Sequence, residues 1–273
     1  MTTANPSPSN TDSLYSPVER GPFKERIRQK QDELVQKFDP QKPVTHLLVE
    51  HANFIDDILR SCWNRFLGDQ IHCFCLTAVG GYGRNELFPN SDIDIVVLLD
   101  CQNPDQHQQI LADFFNFLWD IGLKLGHSVR TVDECIQAAI DDQTVMTSLI
   151  ELRFIEGNKD LCKELKNRIT NNQIWPSDQF FQAKMDEQVQ RYAKYHCTAY
   201  NLEPNIKEGP GGLRDMQVIA WVFKRHYNSA TLKELIQYGF LPESEYNELI
   251  SAQQTLWRIR YALHVLTGRC EDR

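Results

Sequence analysis

The sequence has no uninterrupted apolar run of the ~18 to 20 residues that a membrane-crossing helix needs, so no membrane partner is expected. Its first 21 residues, MTTANPSPSNTDSLYSPVERG, lack the apolar segment of a secretion signal. They are rich in Ser, Thr, Pro and Asn, a composition that predicts a disordered leader over 1–21. Basic charge is in deficit. Against 37 Asp and Glu stand 29 Lys and Arg, giving a net charge of -8. Neutralising a phosphate backbone needs a basic surface, so no nucleic-acid partner is expected. None of the eight cysteines falls in a C-x-x-C pair. Cys73 and Cys75 are two apart, but they sit in a strand-like run with no second pair. Reduced thiols and a cytoplasmic location are therefore expected, rather than a disulfide frame or a zinc site. No internal repeat is present.

What is there suits a globular protein. Hydrophobic content of 41% and charged content of 24% over 273 residues allow one large or two medium domains. Residues 22–38 read as a charged helix. In 44–67, apolar residues recur at three- and four-residue spacing, as in an amphipathic helix. The period then changes. CFCLTAV (73–79) and DIDIVVLLD (92–100) read as buried strands. Residues 107–126 return to a helix ending near Gly122 or Gly126. HSVRTVDE predicts a third strand running into a helix capped at Thr131 or Asp133. From 143 onward the pattern is helical nearly throughout, broken by Pro176 and the loop 200–217. Helices are expected over 213–227, 231–238 and 243–267. The chain thus divides into an α/β part, about 40–142, and a helical part, 143–273.

The chemistry concentrates in AVGGYGRNELFPNSDIDIVVLLD, residues 78–100. Asp92 and Asp94 are two apart in a strand, which puts both carboxylates on one face and Ile93, Ile95 and Val97 on the other. Carboxylates this close repel unless a cation lies between them. Mg²⁺ favours oxygen ligands and completes its shell with substrate phosphates, so it meets that need. Gly80 and Gly81 end the first strand, where glycine permits positive φ and close approach of backbone amides to a ligand. A helix starting there would aim its N–H groups at an anion such as a triphosphate. A metal site joined to a phosphate cradle is what nucleotidyl transfer requires. Arg84 either meets a phosphate or pairs with Glu86 or another acid. Ser91 either bonds the triphosphate or caps the loop.

GGYGRNELFPNSDIDIVVLL resembles the signature of the nucleotidyltransferase superfamily that includes DNA polymerase beta. More closely, it resembles the bacterial PII uridylyltransferase/uridylyl-removing enzymes. EPNIKEGPGGLRDMQVIAWVFKRHY (203–227) is similar to that family's second signature, and LWRIRYALHVLTGRCEDR (256–273) to the segment before its hydrolase domain. The implied fold is α+β, a polymerase-beta-like nucleotidyltransferase domain over 22–142 followed by an all-helical domain over 143–273. The implied activity is Mg²⁺-dependent transfer of UMP from UTP to a tyrosine of the PII signalling protein, in nitrogen control. Asp92 and Asp94 would hold the metal, with Gly80 and Gly81 on the phosphates. In the loop, Lys207, Arg214 and the bare amides of Gly211 and Gly212 would form a second anion site facing the first. The alternative is a plain loop-to-helix entry with Asp215 in the first turn.

Two features depart from the family. No His-Asp dipeptide occurs, and the length leaves no room for glutamine-sensing ACT domains, so only the transferase half is expected. Many superfamily members also carry a third carboxylate on a neighbouring strand. Here Ser128 and Arg130 occupy one face of that strand while Asp133 and Glu134 come late, and no third carboxylate is assigned. Rival readings are a transferase acting on RNA or another protein, and a regulatory module that holds nucleotide without turnover. His127 and His226 have no ligand-spaced partners and read as structural. Phe114, Phe115, Phe117, Leu118 and Trp119 read as helical core, as do Trp257 and Tyr261.

Overall fold

The computed structural model describes residues 17–100, 107–170, 174–228 and 231–273. Residues 1–16 of the expected leader and Cys101 lie outside them. Helix α1 (Pro17–Lys37) starts inside the segment read as disordered. Proline is well tolerated at a first helical position. Two ion pairs fix the added turn: Glu19 meets Arg65 at 2.7 Å and Arg20 meets Asp120 at 3.2 Å.

Next come α2 (Thr45–Leu67), β1 (Phe74–Ala78), the single turn α3 (Gly80–Gly83), β2 (Ile93–Leu99) and α4 (Gln108–Asp120). Strand β3 (Leu125–Thr131) leads into α5 (Val132–Asp141), α6 (Gln143–Ile150), β4 (Arg153–Gly157) and α7 (Lys159–Ile169). Of the two caps expected, Thr131 or Asp133, it is Thr131 that caps α5, as a full capping box with Glu134. The chain then runs through α8 (Ser177–Lys194), α9 (Leu213–Tyr227), α10 (Glu234–Gln237) and α11 (Glu243–Thr267).

The sheet order is β3-β2-β1-β4. Strand β1 is antiparallel to β2 and to β4, while β2 and β3 are parallel and connected through α4. Strand β4 corrects the expectation of helix nearly throughout from 143. Its five residues, RFIEG, are too few to show a period, and pairing along the edge of β1 decides their conformation. The last strand of the sheet therefore lies beyond the expected boundary at 142.

Alternation along the strands divides the core. Leu76, Ile95 and Val97 pack with Ile58, Trp63, Phe114 and Leu118 of α2 and α4. Cys75, Val96 and Leu98 pack on the other face with α5, α6 and α7, joined by Phe180 and Trp221. The rings of Trp63 and Phe114 meet edge-on at 5.2 Å. Burying each such side chain contributes roughly 1.5–3 kcal/mol, and an edge-to-face pair about 0.5–1.5 kcal/mol more. Trp119, read as core, is instead exposed at the helix surface, where His127 packs edge-on against it. A third cluster joins Leu34, Leu47 and Leu48 to Phe88, Leu213, Met216, Trp257 and Tyr261. It fastens α9 and α11 to the loop that follows α3.

Candidate active site

A cavity of about 340 Å³ lies between the α3 end of the sheet and the helices that follow it. All eight residues singled out from sequence line it: Gly80, Gly81, Arg84, Ser91, Asp92, Asp94, Lys207 and Arg214. Strand β1 delivers the chain to Gly80, whose φ of +58° turns it into α3. The Asp94 carboxylate lies against this turn, and a Cβ on Gly80 would sit 3.4 Å from Oδ2. On the other side Gly126 pairs with Asp94 in the parallel register. A Cβ there would come within 2.3 Å of Oδ1. The carboxylate is thus seated between two glycines, one at the start of α3 and one in β3. Gly126 was read from sequence only as a helix end.

Asp92 directly precedes β2 rather than lying within it, and it is exposed, while Asp94 is half-buried. Burial raises the Asp94 carboxyl pKa, the neighbouring Asp92 raises it further, and Lys207 partly offsets both. Two crowded carboxylates with one reluctant to ionise suit a hard divalent cation, and Mg²⁺ usually takes one or two carboxylates plus substrate oxygens. No cluster of three or more acidic, His or Cys ligands exists among the described residues. The two carboxylates fit a divalent cation that would draw its remaining oxygens from substrate and water.

The turn is held from below. Tyr82, in the middle of α3, donates its hydroxyl to buried Asp56 of α2. Arg153 of β4 donates to both oxygens of Asp56, at 2.6 and 3.0 Å, and to the Tyr82 carbonyl at 3.3 Å. Arg84 follows and is already engaged. Its guanidinium meets Glu86 at 2.8 Å and Glu151 at 3.6 Å while also lining the cavity. Burial alone would lower its pKa, but the two carboxylates outweigh that and raise it.

The loop carrying Ser91 is pinned at both sides. The Nδ1 of buried His51 lies 3.1 Å from the Leu87 carbonyl. A carbonyl only accepts, so Nδ1 carries the proton. From α11, buried His264 holds the Pro89 carbonyl, and Asn90 donates to the His264 carbonyl at 3.3 Å. Burial pushes the His51 pKa down to about 4, with the bond to Leu87 opposing. Above its unfolded pKa, near 6.5, the ring is neutral in both states and its contribution to stability is complete. Below that, the unfolded chain takes up a proton that the folded ring refuses, and stability falls until about pH 4. The expected slope from this group approaches about 1.4 kcal/mol per pH unit. Urea unfolding at pH 7, 6 and 5 measures it, and a His51→Gln variant with the same pH slope would refute the assignment.

Lys207 and Arg214 close the cavity from the helical side. Asn205 accepts from the backbone N–H of Lys207 and Glu208, at 3.1 and 2.6 Å, which sets the loop. Burial lowers the Lys207 pKa, and the nearby Arg260 and Arg214 lower it further. Arg214 donates to Glu208 at 2.8 Å and to Gln217 at 2.8 Å. The expected bare glycine amides are not there. Gly211 donates to Asp215 at 2.8 Å and Gly212 to the Gly209 carbonyl at 2.9 Å. Asp215 also accepts from Arg191 and Tyr192, at 2.7 and 2.5 Å, so it organises the loop and spends the Gly211 amide doing so.

Sequence reasoning missed the third wall. Thr144, Thr147, Ser148 and Glu151 line the cavity from α6 and the residue after it, and Lys184 and Glu187 do so from α8. The α6 set follows i, i+3, i+4, i+7 spacing. That is a polar stripe opposite buried Met146 and Leu149, and it was present in the sequence to be read. His226 meets Ser177 at 2.7 Å and His127 packs on Phe115, so both are engaged in structural contacts.

The mixed sheet, with Gly-Gly and Asp-x-Asp brought together at one end of its first hairpin, is that of a nucleotidyltransferase domain. Its family model matches residues 75–169, and that of GlnD PII-uridylyltransferase matches 179–273. Similar proteins include a bifunctional uridylyltransferase/uridylyl-removing enzyme of Methylococcus capsulatus, 50% identical over 250 residues. That alignment covers 92% of this chain and 28% of the relative. The enzyme of the same name from Photobacterium profundum is 45% identical over 238 residues, covering 87% and 27%. One from Aliivibrio fischeri is 45% identical over 239 residues, covering 88% and 27%. The chain belongs to the PII uridylyltransferase/uridylyl-removing family, and it spans a little over a quarter of the length of these relatives.

Proposed function

We propose that this chain transfers UMP from UTP to a tyrosine of a PII-type signalling protein, releasing pyrophosphate. The observation that carries the reading is the seat of Asp94 between two glycines, with Asp92 beside it and Lys207 opposite. Asp92 and Asp94 would hold Mg²⁺, which when bound neutralises phosphate charge and activates oxygen nucleophiles. Gly80, Gly81 and Ser91 border the place for the phosphates, with Lys207 and Arg214 across the cavity. The tyrosine oxygen forms a bond to the α-phosphorus as the bond to the bridging oxygen breaks, and the phenolic proton passes to solvent water. Lys207 and Arg214 balance the charge that collects on the departing pyrophosphate.

Incubation of the chain with PII, UTP and Mg²⁺, followed by mass spectrometry, is expected to find UMP-tyrosine on PII. Pyrophosphate release in the absence of any modified tyrosine would remove PII as the acceptor. No reaction with any nucleotide would remove the transferase reading for this chain.

A further inference from the structure

Lys184 and Glu187 belong to the same cavity as the carboxylates but have no part in the transfer just described. Lys184 is almost wholly buried, and its ammonium lies over the rings of Phe180 and Trp221 at 5.6 and 5.1 Å. It donates to Glu187 at 2.7 Å. Among the described residues no other acceptor engages this ammonium, although it carries three N–H donors.

The pair is unlike the ordinary lysine-carboxylate pairs one helical turn apart. In Lys163–Asp160 the side chains are 61% and 84% exposed; in Lys184–Glu187 they are 2% and 35% exposed. An apolar side chain would fill the slot between two aromatic rings without the desolvation cost of an ammonium. What the lysine supplies, and an apolar residue would not, is a donor on the cavity wall with an acceptor beside it.

Position along the cavity indicates which part of a ligand would meet the pair. Asp94 and Lys207 line the same cavity, Lys207 and Arg214 share Glu208 at 3.9 and 2.8 Å, and Arg214 and Lys184 share the Trp221 ring at 5.2 and 5.1 Å. The order runs from the carboxylates through Lys207 and Arg214 to Lys184 and Glu187. With phosphates at the carboxylate end, a nucleoside reaches the other.

We propose that Lys184 and Glu187 read the base of the bound nucleotide, selecting an edge on which a carbonyl oxygen adjoins a ring N–H. This rests on the cavity being a nucleoside triphosphate site. Uracil presents that edge, with O4 toward the ammonium and N3–H toward the carboxylate. Cytosine has the same size and the reverse pattern, setting an amino group against the ammonium and a lone pair against the carboxylate. A site built for one pattern leaves buried groups unpaired with the other.

The test is titration of UTP and of CTP, each with Mg²⁺, into the full chain by calorimetry. Wild type, Glu187→Gln and Lys184→Met are compared, with thermal unfolding as the check of fold. Wild type is expected to prefer UTP. Glutamine can offer either a donor or an acceptor, so Glu187→Gln is expected to reduce the UTP-over-CTP ratio about tenfold, the scale of one lost hydrogen bond to a charged group. Lys184→Met is expected to weaken UTP more than CTP. Should it unfold, Glu187→Gln decides, since its side chain reaches solvent. Equal binding of both nucleotides by wild type, or an unchanged ratio in Glu187→Gln, overturns the proposal and leaves the cavity reading standing. Failure of wild type to bind either nucleotide overturns the cavity reading itself.

Discussion

Replacing Asp92 and Asp94 together by asparagine is expected to lower UMP transfer by on the order of a thousandfold or more while leaving the protein at least as stable as before. The first half follows from the proposed metal role. Stabilisation of transition-state charge by a bound cation is worth several kcal/mol, and each 1.4 kcal/mol is a factor of ten in rate. The second half follows from the direction of the Asp94 shift. Burial and Asp92 raise its pKa, so the ionised carboxylate is held less comfortably in the folded protein than in the unfolded chain. At neutral pH such a group detracts from stability, and an isosteric amide relieves that. Transfer kinetics and thermal unfolding of the same samples check both halves. Retained transfer would end the metal assignment, and a fall in melting temperature would recast the pair as structural.

A second large effect is expected at Asp56, which lies outside the cavity and holds one of its lining residues, Tyr82, from behind. Asp56→Ala should destabilise the protein by about 3–5 kcal/mol, the usual result of leaving a buried charge without its partner. The side chain is buried at the meeting point of α2, α3 and β4, where Tyr82, Arg153 and, at 3.4 Å, Arg60 converge on its two oxygens. Removal strands a guanidinium and a phenol that have little water to turn to. Against a total stability of about 5–15 kcal/mol, such a loss would be plain as a lower urea midpoint. Asp56→Asn keeps the shape and an acceptor for Tyr82 and should fall between. A loss below about 1 kcal/mol in the alanine variant would mean that water or Glu156 replaces the missing carboxylate.

Much of this architecture was legible in the order of residues. Periodicity alone placed α9 and α11 at their observed bounds, and the Thr131 cap marked the start of α5. Six of the eight site residues come together because Gly-Gly and Asp-x-Asp sit at the joined end of one hairpin, and Lys207 and Arg214 meet them from the start of α9 and the loop before it. What stayed hidden depends on partners far apart in the chain. The Asp56 network joins residues 26 and 97 positions away, and no local pattern announces it. Gly126 gains its meaning only when β3 pairs in register with β2. Strand β4 is too short for a period to show. The amides of Gly211 and Gly212 were misread for a related reason: Asp215 was visible four residues on, but not that it folds back to take the Gly211 N–H.

The cations of the cavity already have company. Arg84 rests on Glu86 and Glu151, and Arg214 on Glu208. An anion arriving there meets no bare positive surface. It wins a place by swapping with a carboxylate, and the displaced carboxylate waits nearby to take its cation back. Occupancy under such terms is a trade in which little net charge is neutralised. Attachment is therefore expected to be modest for its number of contacts, and release of the pyrophosphate of the proposed transfer is expected to be quick.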